Sequence, residues 1–306
     1  LGSSSNFNIS DSSSGEITLT SSGVGTITIL QNQTPCYGPE VITTSLTILK
    51  GSCTLTSVNV TKTFGDSNFV LDNVTTSSTG SYAFTTNPAG KVSINNTTSN
   101  TTILQAGKTI VSVTQYSDGN YESCATSFNI TIKKADPVIS APDITKLYTD
   151  PDFSLSLASS STGSFTYSTL SSGVVSVTNT GNVSIIGAGS VVVSATQIQD
   201  INYNSKTVTF TINVNQGTQT VTWTPSPINK VYGDPQFNVI SLTYNADYGA
   251  VGSITYFSSD SSIASIDSST GQVTVGNVGN AVFTATLPSD GNYIATTVSI
   301  TINVLK

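Results

Sequence analysis

Lys62-Thr63-Phe64-Gly65-Asp66 returns as Lys146-Leu147-Tyr148-Thr149-Asp150 and again as Lys230-Val231-Tyr232-Gly233-Asp234. Consecutive lysines lie 84 residues apart both times. A fixed step of this size marks tandem units, each long enough to close a small core of its own. A second landmark keeps the same order: Asp118-Gly119-Asn120-Tyr121, Asp200-Ile201-Asn202-Tyr203 and Asp290-Gly291-Asn292-Tyr293. Asp, Gly and Asn supply turn geometry, and each Tyr closes a hairpin. The interval between the two landmark Asp residues varies as 52, 50 and 56, so loops drift while the frame holds.

Between the landmarks the pattern is strict alternation. Thr207 to Val214 and Ser299 to Val304 place apolar residues at every second position, as does Gly25 to Ile29. That period sends one face of a strand to a core and the other to water. No segment carries an amphipathic helical pattern. Short strands with regular turn signals predict an all-β chain of tandem antiparallel sandwiches, arranged as a string or rod.

The first 53 residues fit the same frame. Ile9 to Thr18 reads like Ile266 to Thr274, Gly25 to Gln31 like the strand before the Tyr turn, and Thr44 to Lys50 like Thr126 to Ile132. From Gln31 to Tyr37 is six residues, as from Gln115 to Tyr121 and from Gln197 to Tyr203. The chain is therefore expected to divide into residues 1–53, the C-terminal half of a repeat, followed by complete repeats at 54–135, 136–217 and 218–306. Half a sandwich has open edges, which predicts a parent protein that continues upstream. The seams near Lys134-Ala135-Asp136-Pro137 and Pro225-Ser226-Pro227 carry proline, which restricts hinge motion.

Composition narrows the function. The 306 residues include 98 Ser and Thr but only 10 Lys and Arg and 17 Asp and Glu, for a net charge of −7. Apolar residues are plentiful, so this is not the signature of disorder. Phosphate neutralisation needs clustered cations, and none are present, which argues against nucleic-acid binding. No apolar run is long enough to insert in a membrane as a helix. The chain contains no His, which removes a His-based acid–base pair, a Ser-His-Asp triad and a His-ligated metal. It does not read as an enzyme.

The ordered landmarks, together with Gly187-Ala188-Gly189 and Lys134-Ala135-Asp136-Pro137, resemble bacterial immunoglobulin-like repeats. These are the modules strung along adhesins, invasin-type stalks and other large surface proteins, and similar repeats occur on virus surfaces. The resemblance covers the whole chain and rests on the set rather than on any one motif. It implies a two-sheet sandwich of about seven strands and no catalytic residues. It also implies a structural stalk or fibre segment, serving as spacer or in adhesion, on an extracellular, cell or virion surface. The expected partners are further repeats of the same chain upstream and downstream, neighbouring copies in a filament, and a surface glycan or protein. Thr149 departs from the Gly of the opening motif, so that turn is expected to differ. The rival reading is a carbohydrate-binding accessory module, for which Tyr244, Tyr248, Tyr256 and Phe257 come nearest to an aromatic row.

Each recurrent residue has a structural reading beside a chemical one. Asp66, Asp150, Asp234, Asp118, Asp200 and Asp290 could contribute to calcium at junctions, but no Asp-x-Asp-x-Asp run occurs and turn capping is the preferred reading. No metal site or other cofactor is expected. Tyr37, Tyr121, Tyr203 and Tyr293 are read as packing over the sandwich end and bonding backbone through the hydroxyl, in preference to a sugar-binding ladder. Trp223 is read as core or seam packing. An isopeptide bond at Lys62, Lys146 or Lys230 would need a buried Lys beside an amide and a catalytic acid, and the sequence shows no such set.

The three cysteines are Cys36, Cys53 and Cys124. In an immunoglobulin-like sandwich the turn between the last two strands lies at the pole where the unit begins. Cys124 follows that turn and Cys53 lies in the linker entering the same pole, which predicts a Cys53–Cys124 disulfide in an oxidising compartment. Cys36 would then find its partner outside the sequence. Nine sequons occur: Asn8, Asn32, Asn59, Asn73, Asn95, Asn96, Asn100, Asn129 and Asn182. That number is near chance for so Ser/Thr-rich a chain, but eight precede residue 135. Asn73, Asn95, Asn96, Asn100 and Asn129 are the candidates for N-glycans.

Overall fold

The computed structural model describes residues 6–11, 13–170, 173–224, 226–239, 242–244 and 254–306. Among the described residues every regular element longer than a turn is a strand, so the protein is all-β. It forms two compact units, one of residues 1–136 with 199–204 and one of residues 137–198 with 205–306.

In the first unit the largest sheet has the order Val60–Thr63, Cys124–Lys133, Gly107–Gln115, Tyr82–Asn87. Gly107–Gln115 and Cys124–Lys133 pair antiparallel without interruption, from Gly107 opposite Ile132 to Gln115 opposite Cys124. A three-stranded sheet of Val92–Ile94, Asn100–Ile103 and Phe69–Val70 packs across the core from it. Alternation decides which side chains meet: Val111, Val113 and Ile130 are 0% exposed, whereas their neighbours Ile110 and Ser112 point outward. Burying each such side chain contributes about 1.5–3 kcal/mol.

The second unit contains the same arrangement twice. Its four-stranded sheets are Ile144–Leu147, Lys206–Asn215, Gly189–Gln197, Phe165–Thr169 and Ile228–Val231, Thr296–Leu305, Gly279–Leu287, Thr255–Ser258. One feature amends the expectation of wholly antiparallel sheets. In every complete repeat the short strand carrying the motif lysine runs parallel to the last strand, with Val60 opposite Ile130, Ile144 opposite Ile212 and Ile228 opposite Ile302.

Residues 6–48 supply two hairpins, Phe7–Asp11 with Glu16–Leu19 and Gly23–Gln31 with Glu40–Ile48. The second is in register with Gly107–Gln115 and Cys124–Lys133, since Gly23 faces Ile48 as Gly107 faces Ile132. Its inward face is incompletely covered: Ile29 is 48% exposed, where the corresponding Val113 is fully buried.

Alternation did not reveal two buried polar residues. Gln115 and Gln197 end their strands inside the protein at 1% and 0% exposure. Gln115 Nε2 donates to Ser78 O and Gly80 O (3.0 and 2.9 Å), and Gln197 Nε2 donates to Ser161 O and Gly163 O (3.1 and 2.7 Å). Their carbonyl oxygens accept from the hydroxyls of Thr76 and Ser159. Gly80 and Gly163 are required beside them, because a Cβ would fall 1.8 Å from Tyr116 O and 2.0 Å from Ile198 O. In the last repeat the same position is the apolar Leu287, fully buried against Tyr293.

Candidate functional site: the seam between repeats

The Asp-x-Asn-Tyr segments are turns closed by their own carboxylate. Asp118 Oδ1 accepts from the N–H groups of Asn120 and Tyr121 (2.8 and 2.7 Å), Asp200 from Asn202 and Tyr203 (both 2.8 Å), and Asp290 from Asn292 and Tyr293 (2.7 and 2.6 Å). Asp118 also accepts from the N–H and hydroxyl of Thr79 and from Ser78 Oγ. Hydrogen bonds to the ionised form, led by the Thr79 N–H, hold its carboxyl well below the usual aspartate range. In residues 6–48 Thr34 takes the Asp position: its hydroxyl accepts from Tyr37 N–H at 3.2 Å, and Tyr37 is 72% exposed.

The opening motifs are equally self-contained. Asp66, Asp150 and Asp234 each accept the N–H three residues earlier, from Thr63, Leu147 and Val231, at 2.9–3.1 Å. All six recurrent Asp residues therefore cap turns, and among the described residues no three His, Cys, Asp or Glu side chains converge. Lys62, Lys146 and Lys230 place Nζ over Phe69, Phe153 and Phe237, 5.1, 4.9 and 4.3 Å from the ring centroids. These cation–π contacts, each about 0.5–1 kcal/mol when exposed, give the three lysines a shared packing role. Gly65 and Gly233 adopt φ of +91° and +89°; Thr149 is not left-handed, yet Asp150 N–H still reaches Leu147 O at 3.0 Å.

The two motifs meet. In the first unit the Phe64 ring stands edge-on to Tyr203, with centroids 5.5 Å apart at 79°. In the second, Tyr148 stands edge-on to Tyr293 at 5.3 Å and 85°. Around each ring pair the same hydrogen bonds recur. Asn202 Oδ1 accepts from Ala106 N–H and Asn292 Oδ1 from Ala188 N–H, both at 2.9 Å. Each donor directly precedes a glycine of extended positive φ, Gly107 or Gly189. The linker residue donates to the same Asn's backbone carbonyl, Ala135 to Asn202 at 3.0 Å and Gly217 to Asn292 at 2.9 Å. The side chain just before the linker residue completes the set: Lys134 Nζ reaches Asp200 O at 2.6 Å and Gln216 Nε2 reaches Asp290 O at 2.7 Å.

A third version occurs within the first unit, where Ser22 N–H donates to Asn120 Oδ1 at 2.9 Å and Gly51 N–H donates to Asn120 O at 2.8 Å. The turn Tyr is thus a seam residue. Among the described residues Tyr121, Tyr203 and Tyr293 make no hydroxyl hydrogen bond, which corrects the expectation of a backbone-bonded phenol. The Asn before the Tyr is the residue that sequence reading passed over; its recurrence in all three turns was the available signal.

Cys53 and Cys124 are disulfide-bonded, with Cα atoms 5.7 Å apart, and Cys36 is free and exposed. Cys124 lies opposite Gln115 in the ladder; the matching residues are Lys206 opposite Gln197 and Thr296 opposite Leu287. Lys206 Nζ donates to Pro137 O at 2.9 Å, so a hydrogen bond stands where the first complete repeat has a covalent link.

Of the N-glycan candidates, Asn95, Asn96, Asn100 and Asn129 are exposed. Asn73 is half-buried, and its Nδ2 donates to Val58 O at 2.6 Å, so the atom that would carry a sugar is already engaged. Trp223 is buried, edge-on to Tyr256 at 6.1 Å. Tyr256 belongs to that core while Phe257 faces solvent, so the two cannot share an aromatic row; Tyr248 and the Tyr244 side chain lie outside the described residues.

No family model matches the chain, and no curated protein matches it. Matched solved structures include protocadherin gammaB7 EC3-6, 15% identical over 100% of this chain and 92% of that one, with a TM-score of 0.28. Drosophila N-cadherin EC1-4 is 11% identical over 100% and 94%, at 0.29. The S-layer protein rSbsC is 17% identical over 98% of this chain and 48% of that one, at 0.28. Likeness at this level carries no functional argument.

Proposed function

We propose that this chain is a load-bearing spacer segment of an extracellular repeat protein, structural rather than catalytic, of the bacterial immunoglobulin-like kind. The observation that carries the reading is the parallel pairing of the motif-lysine strand with the last strand in each complete repeat. Tension along the chain pulls one strand at its start and the other at its end. The two slide lengthwise, so all their hydrogen bonds bear load together and do not open one at a time. The recurring seam then passes the load from one repeat to the next through backbone and ring contacts that have little dependence on salt.

In the first complete repeat the disulfide adds a covalent route from the linker straight into the last strand, past the 71-residue separation it closes. Stretching single chains by their ends tests this. Each of the last two repeats is expected to release about 25–30 nm on unfolding, at 3.3–3.6 Å per residue. The repeat holding Cys53–Cys124 is expected to release almost no length until the disulfide is reduced, because what lies outside the closed loop is the already extended strand Cys124–Lys133. Gradual extension at low force, without discrete steps, would refute a load-bearing role.

A further inference from the structure

We infer that the pole of the last repeat formed by Tyr232, Val278 and Lys306 is a preformed receptor for the Asp-x-Asn-Tyr turn of one further repeat, joined through the backbone after Lys306. The inference rests on the repeat-array reading above and adds a specific surface and ligand to it. Each element has a filled counterpart elsewhere in the chain. Tyr232 matches Phe64 and Tyr148: its N–H donates to Leu305 O at 2.8 Å, as theirs donate to Lys133 O and Asn215 O at 2.9 Å. Phe64 and Tyr148 are half-buried under a partner Tyr, whereas Tyr232 is 64% exposed.

Val278 precedes Gly279 (φ +151°) as Ala106 and Ala188 precede Gly107 and Gly189. The two N–H groups before each donor are satisfied within the repeat, although by different acceptors: Leu104 and Gln105 share Lys91 O, Ile186 and Gly187 share Val174 O, and Gly276 and Asn277 bind Ile263 O and Ser262 O. Ala106 and Ala188 then give their N–H to an incoming Asn; Val278 N–H meets no acceptor among the described residues. Lys306 holds the place of Lys134 and Gln216, which bind the carbonyl of the turn Asp, and is exposed.

The opening turn of the receptor is already closed by its own side chains. Asp234 caps Val231 N–H at 3.1 Å and Lys230 sits over Phe237. Its shape also selects the incoming linker residue. Where the opening turn has Gly65, the linker residue is Ala135; where it has Thr149, the linker residue is Gly217, whose Cβ would lie 2.7 Å from Thr149 Cγ2. Gly233 is of the first kind, so the receptor fits a linker that begins with a small side chain such as Ala.

The test appends a copy of residues 135–217 after Lys306 of the full chain and follows hydrogen exchange at the Val278 amide. One added hydrogen bond predicts exchange slower by about tenfold than in the 306-residue chain. The protection should disappear when the appended copy's counterpart of Asn202 is Ala, while its hairpin amides stay protected and so report a folded repeat. Ala188 is the internal reference. Protected Ala188 with unchanged Val278 overturns the receptor alone; unprotected Ala188 overturns the seam and the receptor together. Concentration-dependent protection of Val278 in the unextended chain would overturn the assignment to a covalently joined repeat in favour of a second copy.

Discussion

Tyr148 and Tyr293 meet edge to face at 5.3 Å, although 145 positions separate them in the sequence and each belongs to a different recurring motif. Phe64 and Tyr203 repeat the contact. The motif that opens one repeat and the motif that closes the next are two halves of one joint, which explains why both recur in fixed order while the loops between them drift. Tyr148→Ala is expected to cost about 0.5–1.5 kcal/mol beyond its lost burial, read as lower resistance to denaturant of residues 137–306. Tyr232→Ala, whose ring has no aromatic partner among the described residues, is expected to change little.

Thr149 and Gly217 form a size-matched pair across that joint. Gly217→Ala should destabilise it by about 1–3 kcal/mol, because the new Cβ falls within 2.7 Å of Thr149 Cγ2. Thr149→Gly added to Gly217→Ala recreates the Gly65 and Ala135 combination and should restore stability. Two additive losses in a double-mutant cycle would contradict the pairing.

Reduction of Cys53–Cys124 should lower the stability of the first complete repeat by about 2–5 kcal/mol and leave the last two repeats unchanged. Differential exchange of strands Cys124–Lys133 and Lys206–Asn215 reads the difference. Equal losses in both strands would show that the crosslink is not local.

The Asp118 turn makes stability acid-sensitive in a stated direction. Its carboxyl titrates below the usual 3.8, so its contribution is complete above that value and is lost as the pH falls through the lower native value. Asp118→Asn should be less stable than the parent at neutral pH, and the gap should narrow steadily below pH 3.8. A gap that stays constant into acid would refute the hydrogen-bonded carboxylate as its source.

Replacing Gln197 by Leu, the kind of residue found at Leu287, should cost about 1–3 kcal/mol, since Ser161 O and Gly163 O would lose their donor inside the protein. Unfolding by urea measures it. A neutral outcome would mean that the loop at Gly163 has another way to satisfy its carbonyls.

The sequence carried the all-β class because period-two alternation is a direct imprint of half-buried strands, as at Thr207 to Val214. The identity of the two turns was equally legible, since Asp, Asn and Gly at those spacings have few other uses. The parallel strand at Val60–Thr63 was not, because four residues pair the same way to the eye in either direction. Nor was the seam. Asn120, Asn202 and Asn292 look like turn residues, and their side chains serve a neighbouring repeat some 100 residues away, which no local pattern records. Gln115 and Gln197 were hidden for a related reason: a polar residue on a buried face is legible only once the loop carbonyls it satisfies are in place.

The most direct measurement of the joint is amide hydrogen exchange at Ala106 and Ala188 in the parent chain and in Asn202→Ala and Asn292→Ala. The account predicts that both amides are protected in the parent. Asn202→Ala should release Ala106 alone and Asn292→Ala should release Ala188 alone, with the strand amides around them unchanged. Exchange of both amides at the unprotected rate in the parent chain would contradict it.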